Sequence, residues 1–147
     1  MARARRRRVK VLFVCVGNSC RSQMAEAIAR HAASDVIAPS SAGIAALGEI
    51  VKPTLQVLAE RGVRADGQYS KALMPADCEA AELIVNMSGR PARVVARGYE
   101  EKVLDWEIPD PYGEDIELYR RICDEIDDRV AQLADRLRED PSLVLHR

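Results

Sequence analysis

The sequence predicts an α/β fold, a single-domain, doubly wound, four-stranded parallel sheet in the order 2-1-3-4 with helices on both faces. Three observations predict it. Short apolar runs alternate with stretches of helical periodicity along the chain, the pattern of parallel strands joined by crossover helices. The first apolar run ends at Cys15 and passes into a glycine-containing loop and then a helical pattern, which suits a ligand loop at the carboxyl end of strand one, where a 2-1-3-4 order reverses. At 147 residues and 48% hydrophobic content, the chain suits one compact domain with a full core.

The elements follow in order. Val9 to Cys15 is a buried strand carrying Val9, Val11, Leu12, Phe13 and Val14. Ser22 to about Ala33 is a helix, with Ser22 as N-cap and Met24, Ile28 and Ala32 at helical spacing. Val36 to Ser41 is a second strand. A helix starts after Pro53, carries Leu55, Val57 and Leu58, and ends at Gly62. Pro75 to Ala81 is a short helix, Leu83 to Met87 the third strand, Pro91 to Arg97 a helix stopped by Gly98, and Val103 to Trp106 the fourth strand. The last helix runs from about Asp115 to Arg138, with Ile116, Tyr119, Ile122, Ile126, Val130, Leu133 and Leu137 forming a core-facing stripe.

Composition narrows the function classes. The apolar runs are too short to cross a membrane and the N-terminus lacks an apolar signal segment, so a cytoplasmic protein is expected. Four cysteines are few for a disulfide scaffold, and two of them share one loop. The formal net charge is -1, yet Arg3, Arg5, Arg6, Arg7 and Arg8 sit apart as a basic arm; without them the count is 17 positive against 23 negative. Residues 1–8 are therefore expected to be a flexible arm and residues 9–147 the domain. No aromatic residue is interleaved in the arm, which favours a solvated tail over nucleic-acid or membrane binding.

The chemistry concentrates in Cys15-Val16-Gly17-Asn18-Ser19-Cys20-Arg21-Ser22. A strand end presents the Cys15 sulfur, Gly17 and Asn18 permit positive-φ turns that aim backbone N–H groups inward, and a helix start adds its positive dipole end. Arg21 supplies a planar fork for two oxygens of a phosphate-sized dianion. Spacing alone is weak evidence, because Cys123 and Arg129 repeat it. There, however, Asp124, Glu125, Asp127 and Asp128 would repel an anion.

This loop, continuing into Met24-Ala25-Glu26-Ala27, resembles the phosphate-binding loop of the low-molecular-weight protein tyrosine phosphatase family. Asp110-Pro111-Tyr112 resembles that family's general-acid loop and Ser41-Ala42-Gly43 its buttressing loop, in the same order along the chain. The resemblance implies the flavodoxin-like sheet order, Cys15 as nucleophile, Arg21 as phosphate clamp and Asp110 as general acid. It implies Asn18, Ser22 and Ser41 as hydrogen-bonding supports, with Val16, Gly17, Ser19 and Cys20 completing the phosphate site. The expected substrate is a phosphotyrosine or phosphoarginine protein, and a phosphate- or sulfate-type anion should occupy the nest. No metal or cofactor is required, because the cradle neutralises charge that magnesium neutralises elsewhere; His31 and His146 lie outside the motifs.

The chain also departs from the tyrosine-specific pattern. Ser19 stands where those members place a bulky aliphatic residue, and Ile44-Ala45-Ala46-Leu47-Gly48 lacks an aromatic wall. Ser19, with the single Tyr112 after Asp110-Pro111, resembles the protein arginine phosphatase branch, which marks both as selectivity residues. Gln68 takes the place of a histidine and is expected to loosen the nest. Trp106 either packs under the acid loop or meets substrate, and Tyr112 either lines the pocket or anchors the loop. Cys78 and Cys123 are expected to be packing residues. Peroxide should join Cys15 and Cys20 in a reversible disulfide.

Two other functions compete. Thioredoxin-coupled arsenate reductases resemble the chain through Asn18 to Glu26, but they need two further cysteines after the third strand, and Asn86-Met87-Ser88-Gly89-Arg90-Pro91 has none, which leaves that reaction a relay through Cys20 or a small external thiol. A non-catalytic anion or nucleic-acid binder would use the arginine arm and a dead nest, against which Cys15, Arg21 and Asp110 all stand intact.

Overall fold

The computed structural model describes residues 7–140 and 142. Four parallel strands pair in the order β2-β1-β3-β4: β1 is Val9–Cys15, β2 Ile37–Gly43, β3 Leu83–Asn86 and β4 Val103–Asp105. The helices are α1 Arg21–Ala32, α2 Lys52–Glu60, α3 Pro75–Ala80, α4 Ala92–Val95 and α5 Ile116–Glu139. This is the predicted fold class and strand order. One boundary moves with consequences: β2 continues to Gly43, so Ser41-Ala42-Gly43 is the end of a strand and not a loop, with Phe13 opposite Ser41 and Cys15 opposite Gly43.

The period of two in β1 splits the core. Val9, Val11, Phe13 and Cys15 face a large cluster with Met24 and Ile28 of α1 and the buried stripe of α5, while Leu12 and Val14 face a smaller one with Cys78, Val95 and Ala96. Along α5 every member of the predicted stripe is buried except Ile116, which is half-buried at the first turn. Asp115 caps that helix, its carboxylate accepting from Leu118 N at 3.0 Å. In α2, Val57 and Leu58 are buried but Leu55 faces outward.

At the amino edge of the sheet, Arg7 pairs with Glu82 and Arg8 donates to Ile37 O at 3.3 Å. These two side chains, predicted as part of a free arm, are fastened to the domain; Arg3, Arg5 and Arg6 lie outside the described residues. Among the described residues no helix is long and apolar enough to cross a membrane.

Candidate active site

The carboxyl end of β1 delivers Cys15 into a loop that closes on α1 within residues 16–20. Among the described non-glycine residues only Asn18 has positive φ, at 50°. Gly17, predicted to share that conformation, does not; a Cβ there would approach Ser19 Oγ to 3.2 Å, so the constraint is space. Gly43 is tighter still, since a Cβ would lie 2.7 Å from Val16 O and 2.8 Å from Asn18 N. Only glycine lets β2 press against the loop.

Ser22 is not the N-cap. The helix begins at Arg21, Cys20 caps it without a side-chain hydrogen bond, and the Ser22 hydroxyl lies inside the first turn, 2.8 Å from Cys15 Sγ. Asn18 Nδ2 donates to Ser22 Oγ at 2.7 Å and to Ser41 Oγ at 3.0 Å, and Ser41 Oγ donates to Glu26 at 2.5 Å. The Asn18 carbonyl side is held by Gln23 Nε2 at 3.0 Å and by the Lys71 backbone N–H at 2.9 Å. Asn18, Ser22, Ser41, Gln23 and Glu26 are all buried.

Gln68 does not loosen this support. Its amide donates to Gln23 Oε1 at 2.7 Å and accepts from Arg30 at 2.8 Å, so two amides in series span the gap expected to weaken the nest. Lys71 Nζ lies 3.8 Å from Glu26, and burial lowers its pKa against the pull of that carboxylate.

Arg21 is buried at the opposite wall. Its Nη1 donates to the carbonyls of Met87 and, at 2.9 Å, Ile108, while Nη2 lies 3.5 Å from Asp110 Oδ2. Its Nε has no hydrogen-bond partner among the described residues. Asp110 also accepts from Tyr112 N at 3.0 Å, which sets the turn of the acid loop.

Cys15, Val16, Gly17, Ser19, Cys20, Arg21, Asp110 and Tyr112 line one cavity of about 170 Å³, joined by Ala45 and Leu47. The predicted site residues thus converge. Asn18, Ser22 and Ser41 stand behind that wall. Tyr112 is exposed at the mouth, whereas Trp106 is buried with its ring 6.0 Å from that of Phe13, a packing role. A larger cleft of about 700 Å³ opens beyond Arg21, beside Met87, Trp106 and Pro109, and contains neither Cys15 nor Asp110.

Below the nest, Cys20 Sγ lies 3.6 Å from both Ser19 Oγ and Tyr119 Oη, and Thr54 Oγ1 donates to Ser19 O at 2.9 Å. Burial pushes the Cys20 thiol up, against the opposing hydrogen bonds from Tyr119, Ser19 and Thr54. Burial likewise pushes Cys123 up to about 11, and Cys78 and Cys123 sit in separate core clusters. Among the described residues no histidine, cysteine and carboxylate cluster could hold a metal.

Sequence reasoning gave no role to Gln23, Glu26, Thr54 and Lys71, and Gly43 entered only as part of Ser41-Ala42-Gly43. A signal existed for two of them: Gln23 and Glu26 are three apart on a helix otherwise rich in buried apolar residues, one inward polar face. Thr54 and Lys71 have no local signature.

The model of the family described as low molecular weight phosphotyrosine protein phosphatase matches residues 10–143. The chain belongs to that family. Within it, a protein-arginine-phosphatase of Geobacillus stearothermophilus is 31% identical over 141 residues, covering 87% of this chain and 95% of the relative. A glutaredoxin arsenate reductase of Synechocystis sp. is 30% identical over 126 residues, covering 84% and 95%. Among solved structures, an arginine phosphatase mutant with a phosphorylated active-site serine superposes with a TM-score of 0.82 at 29% identity, covering 90% of this chain and 97% of that one. Family and neighbours together support a cysteine-based phosphatase.

Proposed function

We propose that this family member is a metal-independent protein phosphatase acting through a phosphocysteine at Cys15, with phosphoarginine protein as its substrate. The observation that carries the reading is the Cys15 sulfur at one cavity wall with the Ser22 hydroxyl 2.8 Å behind it, and Arg21 and Asp110 lining the same cavity. Cysteine attacks as the thiolate, and the Ser22 hydroxyl is the polar group within hydrogen-bonding distance of the Cys15 sulfur. That thiolate attacks phosphorus in line as the bond to the leaving nitrogen or oxygen breaks, and Asp110 gives the leaving atom a proton. Asp110 then takes a proton from the water that cleaves the S–P bond, returning thiolate and free phosphate. Arg21 follows the phosphoryl charge, and its buried Nε is a donor left for the anion.

The substrate choice rests on the cavity walls. Ser19 supplies a hydroxyl, and the 44–48 loop contributes Ala45 and Leu47 where a phenyl ring would gain from an aromatic face. A guanidinium is planar and polar, and Asp110 offers it an acidic partner. The arginine-phosphatase relative and the phosphorylated-serine structure support this reading. The arsenate-reductase relative supports the rival, which finds no cysteine between residues 86 and 91 here. The test is parallel turnover of a phosphoarginine peptide, a phosphotyrosine peptide and arsenate with thiol. Higher kcat/KM on phosphoarginine supports the proposal; preference for phosphotyrosine or arsenate replaces the substrate, and no hydrolysis of either peptide removes the function.

A further inference from the structure

The two faces of the sheet are covered unequally. The core cluster on the Phe13 side packs under α1, α2 and α5, helices of 12, 9 and 24 residues. The cluster with Leu12 and Val14 has only α3 and α4 over it, of 6 and 4 residues. Such short helices do not close over the sheet, and a groove of about 220 Å³ opens between them. Buried Cys78 and Val95 line it together with Met74 and Val94, which are 56% and 52% exposed. An apolar groove with large apolar side chains left in water is the mark of an interaction surface.

The charge beside the groove narrows the partner. Arg90, Arg93 and Arg97 are exposed along the α4 segment, and among the described residues none of their side chains meets a carboxylate within 4 Å. Elsewhere on the surface Arg61, Arg120 and Arg138 each hold one at 2.5–2.8 Å. Two carboxylates on the flanking segments are already engaged, Asp77 accepting from Met74 N at 2.8 Å and Glu100 from Gly98 N at 2.6 Å. Lys102 adds a further positive charge, its Nζ donating to Cys78 O at 2.9 Å and to Ala81 O at 2.7 Å. Arginine and methionine beside an apolar centre are the residue types that protein interfaces favour, and a guanidinium, weakly hydrated, pairs readily with a carboxylate.

The structure assigns this surface to docking an acidic segment of a partner protein, its apolar side chains seated between α3 and α4 and its carboxylates on Arg90, Arg93 and Arg97. A concave groove takes side chains that project from a peptide, whereas an anionic bilayer would leave it unfilled. The surface adjoins the catalytic loop, because Ile44 lines the groove and its N–H donates to Cys15 O at 3.1 Å. Docking here does not depend on which phosphorylated residue the cavity accepts.

The test is fluorescence anisotropy with a short labelled peptide of leucine, glutamate and serine, against a copy carrying lysine for glutamate. The acidic peptide should bind saturably at low salt, about tenfold or more tighter than the lysine copy. Replacing all three arginines, Arg90→Gln with Arg93→Gln and Arg97→Gln, should weaken binding about tenfold and remove most of its salt dependence. Met74→Ser with Val94→Ser should also weaken it about tenfold but keep the salt dependence, since apolar burial is lost and the charges remain.

All five side chains are exposed, so the variants should melt as the wild type does. A variant that melts early is replaced by Arg97→Gln alone, for which about threefold weakening is expected and no change overturns the inference. No saturable binding of the acidic peptide, equal binding of the lysine copy, or undiminished binding by either multiple variant also overturns it. Sedimentation with phosphatidylserine vesicles is measured alongside: retention that the arginine replacements abolish, without peptide binding, would give the surface to a membrane and end the inference.

Discussion

Behind the Cys15 sulfur, Asn18, Ser22, Ser41 and Gln23 are buried and tied by hydrogen bonds of 2.7–3.0 Å, whereas in front of it Leu47 and Tyr112 are exposed. Asp110, on that open side, is held by its turn with Tyr112 N and a 3.5 Å approach to Arg21. The difference is one of constraint. A buried polar group that loses its partner costs about 1–3 kcal/mol, so the rear of the nest admits few alternatives. Groups at the mouth keep water as a partner and can vary with the substrate. The rear should therefore decide whether the protein turns over, and the mouth what it turns over.

The most severe break is at the sulfur itself. Cys15→Ser should abolish phosphatase turnover while phosphate binding, measured calorimetrically, survives, because the cradle is kept and the nucleophile lost. Substantial residual turnover would move the nucleophile elsewhere.

Peroxide attacks the same atom. Mild oxidation should give a Cys15–Cys20 disulfide that removes activity and is reversed by dithiothreitol. Peptide mapping that finds Cys15 overoxidised and Cys20 free would separate the two thiols functionally.

On the open side, Asp110→Asn should lower kcat/KM for phenyl phosphate by about a hundredfold or more, with a much smaller loss on a substrate with a good leaving group. Equal losses on both would take the proton-transfer role from Asp110.

Ser19→Ile sharpens the contrast within the cavity wall. It should raise the ratio of phosphotyrosine to phosphoarginine activity about tenfold, the worth of one branched aliphatic contact. An unchanged ratio would direct attention to Ala45, Leu47 and Tyr112.

The smallest effect is expected at the surface clamp between α2 and α5, where Arg120 pairs with Glu60 at 2.8 Å. This clamp holds the helix that carries Thr54 under Ser19. Hydrogen bonding to Arg120 lowers the Glu60 pKa to about 2, below its unfolded value, so its stabilisation is present above pH 4.5 and lost as pH falls toward 2. The thermal midpoints of the wild type and Glu60→Gln should accordingly differ slightly at pH 7 and converge near pH 2. A gap that persisted in acid would assign the effect to packing.

Much of the fold and half of the site were legible in the chain. Val9 to Cys15 declares a buried strand by composition, the α5 stripe declares a core helix by period, and Gly-Asn between a strand and a helix declares a tight anion loop. These are local properties, set by backbone sterics and by which side chains avoid water. Ser22 was legible through the resemblance as a hydrogen-bonding support but not in its place in the helix, since cap and first turn differ by one residue and only the folded chain distinguishes them.

What the tertiary structure decided is which distant groups meet. Lys71 is unremarkable along the chain, and nothing local to Gln68 or Glu26 tells which groups they will meet. They converge on Asn18 because β2 presses Gly43 against the loop and the 68–71 segment crosses behind it, where Gly43 N donates to Lys71 O at 2.9 Å. The sequence by itself determined a strand, an anion loop and a helix, because these follow from local backbone preference and apolar patterning. Only the folded chain decided the direction of the hydrogen bonds that reach Cys15, because burial removes the water that would otherwise let each donor and acceptor choose its own partner.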